Sequence, residues 1–231
     1  MMKKMLHRIL SAFLLLSVLA SLPACSKNTL CSVEADGRIF EALGGSRVNR
    51  LRVTENGKVI WKDSVRTDKT VGARNGSYGL EILDLNFDGH ADIKLVSSVN
   101  GDMLSNLCYL YEPSLNSYQF NQGLSELCTV MPQAEQQVIL SFTHTKKTYE
   151  AAEDAAASYI TCDTTTAYYW KNGNLMPFRR VSVTYNSTYN NYVLSVSDYS
   201  EEIFEFLDPD DTWFTAEEYQ ATDLSFLYYF K

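Results

Sequence analysis

The chain has 231 residues, with 20 Lys+Arg against 28 Asp+Glu, a formal net charge of −8 and 45% hydrophobic residues. That content is enough for a packed domain and excludes a disordered stalk. An acidic balance without a basic stripe argues against nucleic acid and against anionic lipid headgroups as targets.

Lys3, Lys4 and Arg8 form a basic start, and Ile9 to Leu19 is an apolar run broken by Ser11 and Ser17. The run is shorter than the roughly 20 apolar residues of a spanning helix and reads as a secretory signal. Leu22-Pro23-Ala24-Cys25 follows and resembles the lipobox of bacterial lipoproteins, although Pro23 departs from the usual small residue. The resemblance implies cleavage before Cys25 and acylation of its thiol, palmitate included, with the protein held at the membrane on the exported side of the cell envelope. Two or three acyl chains anchor firmly where a single chain binds only marginally. The remaining chain carries 17 Lys+Arg against 28 Asp+Glu, so processing makes it more acidic. Residues 1–24 are therefore expected to be a signal peptide, 25–32 a membrane tether, and 33–231 a single β-rich domain.

Leu51 to Trp61 predicts a hairpin, with Asn56-Gly57 supplying the two positive φ angles of a type I′ turn and Glu55 facing Lys58. Gly79–Leu85 and Ile93–Val99 read as strands from their alternating or β-branched pattern. Between them stands Asp84-Leu-Asn-Phe-Asp-Gly-His-Ala-Asp92. Asp84, Asn86, Asp88 and Asp92 fall at relative positions 1, 3, 5 and 9, with Gly89 at position 6. Alternate side chains of a tight loop point at one centre, Gly89 allows the bend, and the His90 carbonyl adds a backbone oxygen. An oxygen-only set with three carboxylates suits Ca²⁺. An EF-hand needs a Glu at position 12, where this chain has Leu95, and its flanks would be helical.

Cys108 to Phe120 reads as strand, turn, strand. Tyr149 to Tyr159 is Ala/Glu-rich and fits a short helix or a mobile loop. Tyr168 to Leu175 repeats the hairpin device, with Asn172-Gly173 at the turn and Trp170 across from Leu175. Val181–Tyr185 and Tyr192–Val196 pair around 186–191. Asp208-Pro-Asp-Asp-Thr212 has acids at alternate positions but no glycine, and reads as a turn ahead of a helix rather than a second metal loop. Thr215-Ala-Glu-Glu218 is a capping box, predicting a short helix over 216–221. The fold class is all-β: antiparallel hairpins and meanders, propeller-like or sandwich, with one short C-terminal helix.

Cys31, Cys108, Cys128 and Cys162 are disulfide candidates in an exported compartment, where four cysteines allow three pairings. Cys108–Cys128 with Cys31–Cys162 is the favoured set, and no Cys/His spacing suggests zinc. His144, in Phe142-Thr-His-Thr-Lys146, is the one histidine outside the loop in the processed chain. No Gly-x-Ser-x-Gly elbow exists. Glu126, Glu201, Glu202 and Glu205 are the carboxylates available to a glycosidase. Tyr185, Tyr189, Tyr192 and Tyr199 suit strands and equally a face that stacks on sugars or a protein.

The stretch 84–92, lying between strands, resembles the calcium loop of FG-GAP/VCBS-type β-propeller repeats, whose ligand positions fall on Asp84, Asn86, Asp88, the His90 carbonyl and Asp92. The chain shows one copy and lacks the flanking Phe-Gly and Gly-Ala-Pro signatures. Tyr109-x-Tyr111, then Pro113 to Phe120, then the Tyr168–Gly173 hairpin is similar to a group of exported bacterial lipoproteins with one such loop, over roughly residues 75–185. Some relatives there are immunity proteins against peptidoglycan hydrolases. The expectation is a calcium-stabilised, surface-anchored lipoprotein that binds a protein or glycan of the envelope without catalysis. An inhibitor of a cell-wall hydrolase is the first alternative and a glycan-active enzyme the second.

Overall fold

The computed structural model describes residues 28–71, 78–149 and 158–221. Strands β1 (Thr29–Ala35), β2 (Arg38–Gly44), β3 (Val48–Glu55) and β4 (Lys58–Ser64) form an antiparallel sheet in that order. Asn56 and Gly57 turn with φ of 50° and 75°, and Glu55 faces Lys58, as the sequence predicts. Asp36-Gly37 makes the same turn between β1 and β2, with φ of 50° and 70°. The expected tether over 25–32 is corrected in part. Thr29 to Ser32 belong to β1, where Leu30 and Cys31 pack on the core and hold the strand to β2. Residues 25–27, the signal segment and Cys25 lie outside the described residues.

A second antiparallel sheet follows, again in chain order: β5 (Leu80–Leu83), β6 (Asp92–Asn100), β7 (Met103–Glu112) and β8 (Ser117–Phe120). Helix α1 (Gln122–Ser125) leads on, capped by the Asn121 side chain, which accepts the Leu124 N–H at 2.9 Å. The third sheet holds β9 (Met131–Gln133), β10 (Val138–Tyr149), β11 (Ser158–Lys171), β12 (Asn174–Asn186), β13 (Asn191–Ser200) and β14 (Glu205–Phe206), and β15 (Asp210–Thr215) also pairs with β13. Asn172-Gly173 and the pair Trp170–Leu175 sit where the sequence places them. So do the antiparallel partners Val181–Tyr185 and Tyr192–Val196. Tyr149 ends β10 and Ser158 and Tyr159 begin β11, while the expected helix or loop falls on 150–157, outside the described residues.

Helix α2 (Ala216–Ala221) closes the described chain. The capping box is reciprocal: the Glu218 N–H donates to Thr215 Oγ1 at 3.2 Å, and the Thr215 N–H donates to Glu218 Oε2 at 2.8 Å. The turn expected over 208–212 is corrected. Asp210 and Asp211 lie on β15, opposite Val196 and Ser195, because β13 offers a free edge beyond β14.

The second sheet is the middle layer. Phe40, Leu51 and Val53 of the first sheet meet Ile93, Leu95, Tyr109 and Tyr111 of the second in one core. Cys108 points the other way, into a core with Leu85, Leu124, Val130 and Ile139, against which Tyr168, Trp170 and Leu175 of the third sheet pack. Alternation along β7 thus feeds two cores from one strand. β6 is buried over its first five residues, the pattern of a strand covered on both faces. Fully burying side chains of this size contributes roughly 1.5–3 kcal/mol each, so these two interfaces dominate the fold. Three open antiparallel meanders stacked in chain order make the protein all-β and sandwich-like.

Candidate metal centre

The loop 84–91 joins β5 to β6. Phe87 and Gly89 take φ of 60° and 86°. A Cβ on Gly89 would meet nothing within 4 Å, so glycine serves the conformation there, not the space. The Asp84 carboxylate accepts the Asp88 N–H on Oδ1 at 3.1 Å and the Gly89 N–H on Oδ2 at 2.9 Å. Asn86 Oδ1 accepts the Asp88 N–H at 3.3 Å, and its Nδ2 donates to Asp88 Oδ2 at 2.8 Å. Asp88 Oδ1 accepts the His90 N–H at 2.9 Å.

Asp92 differs from the others because it is wholly buried. Its Oδ2 accepts the Leu85 N–H and its Oδ1 the Tyr111 N–H, each at 2.8 Å. One carboxylate thus closes the loop and ties it to β7. Burial pushes the Asp92 carboxyl up to about 7, against the pull of those two donors and with the charges of Asp88 and Asp84 adding to the rise.

The loop also reaches the other two sheets. Asp36, in the β1–β2 turn, accepts the Ala91 N–H on Oδ2 at 2.9 Å. Trp170 of β11 donates its indole N–H to the Leu85 carbonyl at 2.9 Å. The His90 ring sits edge-on to Tyr111 with centroids 5.3 Å apart, and the Arg38 guanidinium lies 3.8 Å over the other ring, that of Tyr111. Asp36 is a residue that sequence reasoning missed, since it stands 55 positions away with no motif of its own. Its one signal is the Asp-Gly turn.

The donors are all oxygens and three are carboxylates, the chemistry of a hard cation. Asp92 is raised chiefly by burial, with Asp88 and Asp84 adding like charge, and a divalent cation there would replace that repulsion with attraction. The residues present therefore fit Ca²⁺ in kind. Among the described residues, no three His, Cys, Asp or Glu side chains are gathered into a ligand group. In this conformation the loop carboxylates are turned to backbone N–H groups.

The remaining sequence candidates are dispersed. Among the described residues no disulfide is formed. Cys31 packs on the first core and Cys162 lies on β11, with the middle sheet between those layers. Cys128 bridges Ser105 of β7, three residues before Cys108. Burial pushes the Cys108 thiol up to about 12. His144 Nδ1 lies 2.5 Å from Asp163 Oδ1, its cross-strand partner, on an exposed face. Glu201 bonds Tyr169 and Lys171, while Glu126 takes a bond from Gln122 Nε2 on α1. Tyr185 and Tyr192 join Tyr159 and Tyr219 in a ring ladder, and Tyr199 packs on Phe206. Tyr189 stands 74% exposed.

No family model matches the sequence, and no curated protein matches it. A solved Xanthomonas structure, of a type IV secretion system related protein, superposes with a TM-score of 0.51 at 17% identity, over 77% of this chain and 91% of that one. At that identity the likeness concerns the fold. Among the described residues no helix is long and apolar enough to cross a membrane.

Proposed function

We propose that this protein is a calcium-stabilised lipoprotein, anchored through Cys25 at the cell envelope, that acts as a non-catalytic binding module. The observation that carries the reading is the acidic loop tied to all three sheets, by Asp36, by Asp92 and by Trp170. Asp84, Asn86, Asp88, Asp92 and the His90 carbonyl hold the ion. Ca²⁺ supplies there a positive centre for clustered carboxylates. The chain's own part is to orient those oxygens through loop N–H bonds and to shield Asp92 from water.

A binding role is supported by where the reactive groups sit. His144 is paired on an open strand face, and the Cys108 thiol is buried and hard to ionise. The shared fold with a type IV secretion system related protein accords with an envelope setting. Calorimetric titration of the full chain with Ca²⁺ tests the proposal. One site with a dissociation constant around 10⁻⁴–10⁻³ M is expected from this ligand set. Absence of binding up to about ten times that range would refute it.

A further inference from the structure

The net charge hides a strong asymmetry. Residues 28–71 carry eight Lys+Arg against six Asp+Glu, a net of +2, whereas residues 72–231 carry eight against 22, a net of −14. The first sheet is therefore the positive pole of an acidic molecule. Arg50, Arg52 and Lys62 lie away from the Asn56-Gly57 turn, with Arg50 opposite Ser64 and Arg52 opposite Lys62. Arg50 and Arg52 line a cleft of about 450 Å³ together with Leu43, Asn49 and the Gly44-Gly45 turn. A neighbouring hollow of about 300 Å³ shares Arg50 and adds Lys62.

The cleft is built by the backbone. A Cβ on Gly44 would lie 2.0 Å from the Arg47 carbonyl oxygen, so only glycine lets the rim fold back so tightly. Leu51 and Val53 point into the core, which sends the alternate residues Arg50 and Arg52 to the outer face. The carboxylates there are occupied. Glu41 holds Arg52 through both oxygens, at 2.6 and 2.8 Å. Asp63 accepts the Tyr109 hydroxyl and the Ser64 N–H, each at 2.8 Å. Among the described residues no carboxylate pairs with Arg50 or Lys62, both exposed.

The position of the cleft names its occupant. Asn28 lines it, and the Asn28 carbonyl accepts the Gly44 N–H at 2.8 Å. Cys25 is three residues earlier, a reach of at most about 11 Å. We propose that this end of the first sheet, centred on Arg50 and Lys62, docks on the phosphate headgroups of anionic membrane lipids and sets the orientation of the anchored domain. Repulsion of the acidic remainder from the same surface acts in the same sense. The proposal rests on anchoring at Cys25.

The test uses the full-length protein isolated from its host membrane and reconstituted on vesicles. One set is phosphatidylcholine, and the other contains roughly one-third phosphatidylglycerol. A soluble amine-acylating reagent reads the modification rate of Lys62 against Lys171 of the third sheet. Phosphatidylglycerol should slow Lys62 about five-fold relative to Lys171, the factor for one basic residue at an anionic surface. High salt and Arg50→Gln should each reduce that protection. Equal labelling on both vesicles overturns the proposal. Protection by inorganic phosphate in detergent, without vesicles, would make the cleft a free-phosphate site and overturn the lipid source. Protection by poly-glutamate but by neither vesicle would give it to an acidic protein and overturn it too. Flotation separates the two ideas. Protein floating with both vesicles reports the anchor, protein floating with phosphatidylglycerol alone lacks the anchor but keeps the cleft, and floating with neither overturns both.

Discussion

Replacing Asp84 with Ala separates the metal from the scaffold. Asp84 is half-buried and accepts only the N–H groups of Asp88 and Gly89, both exposed loop residues that water can satisfy. Without calcium the loss should be about 1 kcal/mol, near the net worth of one hydrogen bond. For a domain of this size that lowers Tm by roughly 2–4 °C. Calcium at ten to a hundred times its dissociation constant adds roughly 1.4–2.7 kcal/mol to the native protein, or about 3–10 °C. The variant has lost a charged ligand and should gain almost none of this. Asp92→Ala should abolish the same response. Its calcium-free effect is less simple, because it both orphans two buried N–H groups and removes an unfavourably buried charge. Asp210→Ala on β15 should keep the full calcium shift. Differential scanning calorimetry of the four proteins, with calcium and with chelator, gives the comparison. An undiminished calcium shift in Asp84→Ala would place the ion elsewhere and sink the reading of the loop.

Cys25→Ser should block incorporation of a fatty-acid analogue in metabolic labelling, and label persisting on that variant would refute the anchor. Gly79→Ala should cost about 2–5 kcal/mol in urea unfolding, because its φ is +75° and a Cβ would lie 2.8 Å from Val96 Cβ and 3.0 Å from Val71 Cγ1. Gly57→Ala, at the same φ with open space around it, should cost only about 1–2 kcal/mol, and equal midpoints would contradict the packing at Gly79. With its thiol pushed up to about 12, reduced Cys108 should resist iodoacetamide at neutral pH far longer than half-buried Cys162, measured by peptide mass spectrometry, and equal rates would show that the second core opens readily.

The turns were legible because their chemistry is local. Asn56-Gly57, Asn172-Gly173 and Thr215–Glu218 each satisfy their own backbone within four residues, so no distant packing overrides them. The loop's turn was legible for the same reason, since the side-chain bonds of Asp84, Asn86 and Asp88 all end within residues 84–90. What failed depends on distance. The stretch 29–32 is short and polar enough to pass for a tether, and it becomes a strand only because β2 and the first core receive it. Asp210 looks like turn chemistry beside Pro209, and the free edge of β13 makes it a strand. The contact from Asp36 to Ala91 crosses two sheets and leaves no trace in sequence spacing. The basic end of the first sheet was averaged away in a net charge dominated by the other two.

The loop's three attachments bear on how a weak ion would stabilise a whole molecule. The layer interfaces are mostly apolar, and apolar contact is non-directional, so directional bonds such as that from the Tyr109 hydroxyl to Asp63 carry much of the relative setting of the sheets. The bonds from Asp36, Asp92 and Trp170 are directional and end within eight residues of one another. A cation that orders residues 84–92 therefore orders the acceptors and donors by which all three sheets are registered. Separating any sheet from the loop would disturb the others, so loop ordering and global unfolding should move together. Calcium should then raise the single cooperative transition rather than protect the loop alone. A calcium-dependent change in loop hydrogen exchange without a change in the slowest-exchanging core amides of β6 and β7 would contradict that coupling.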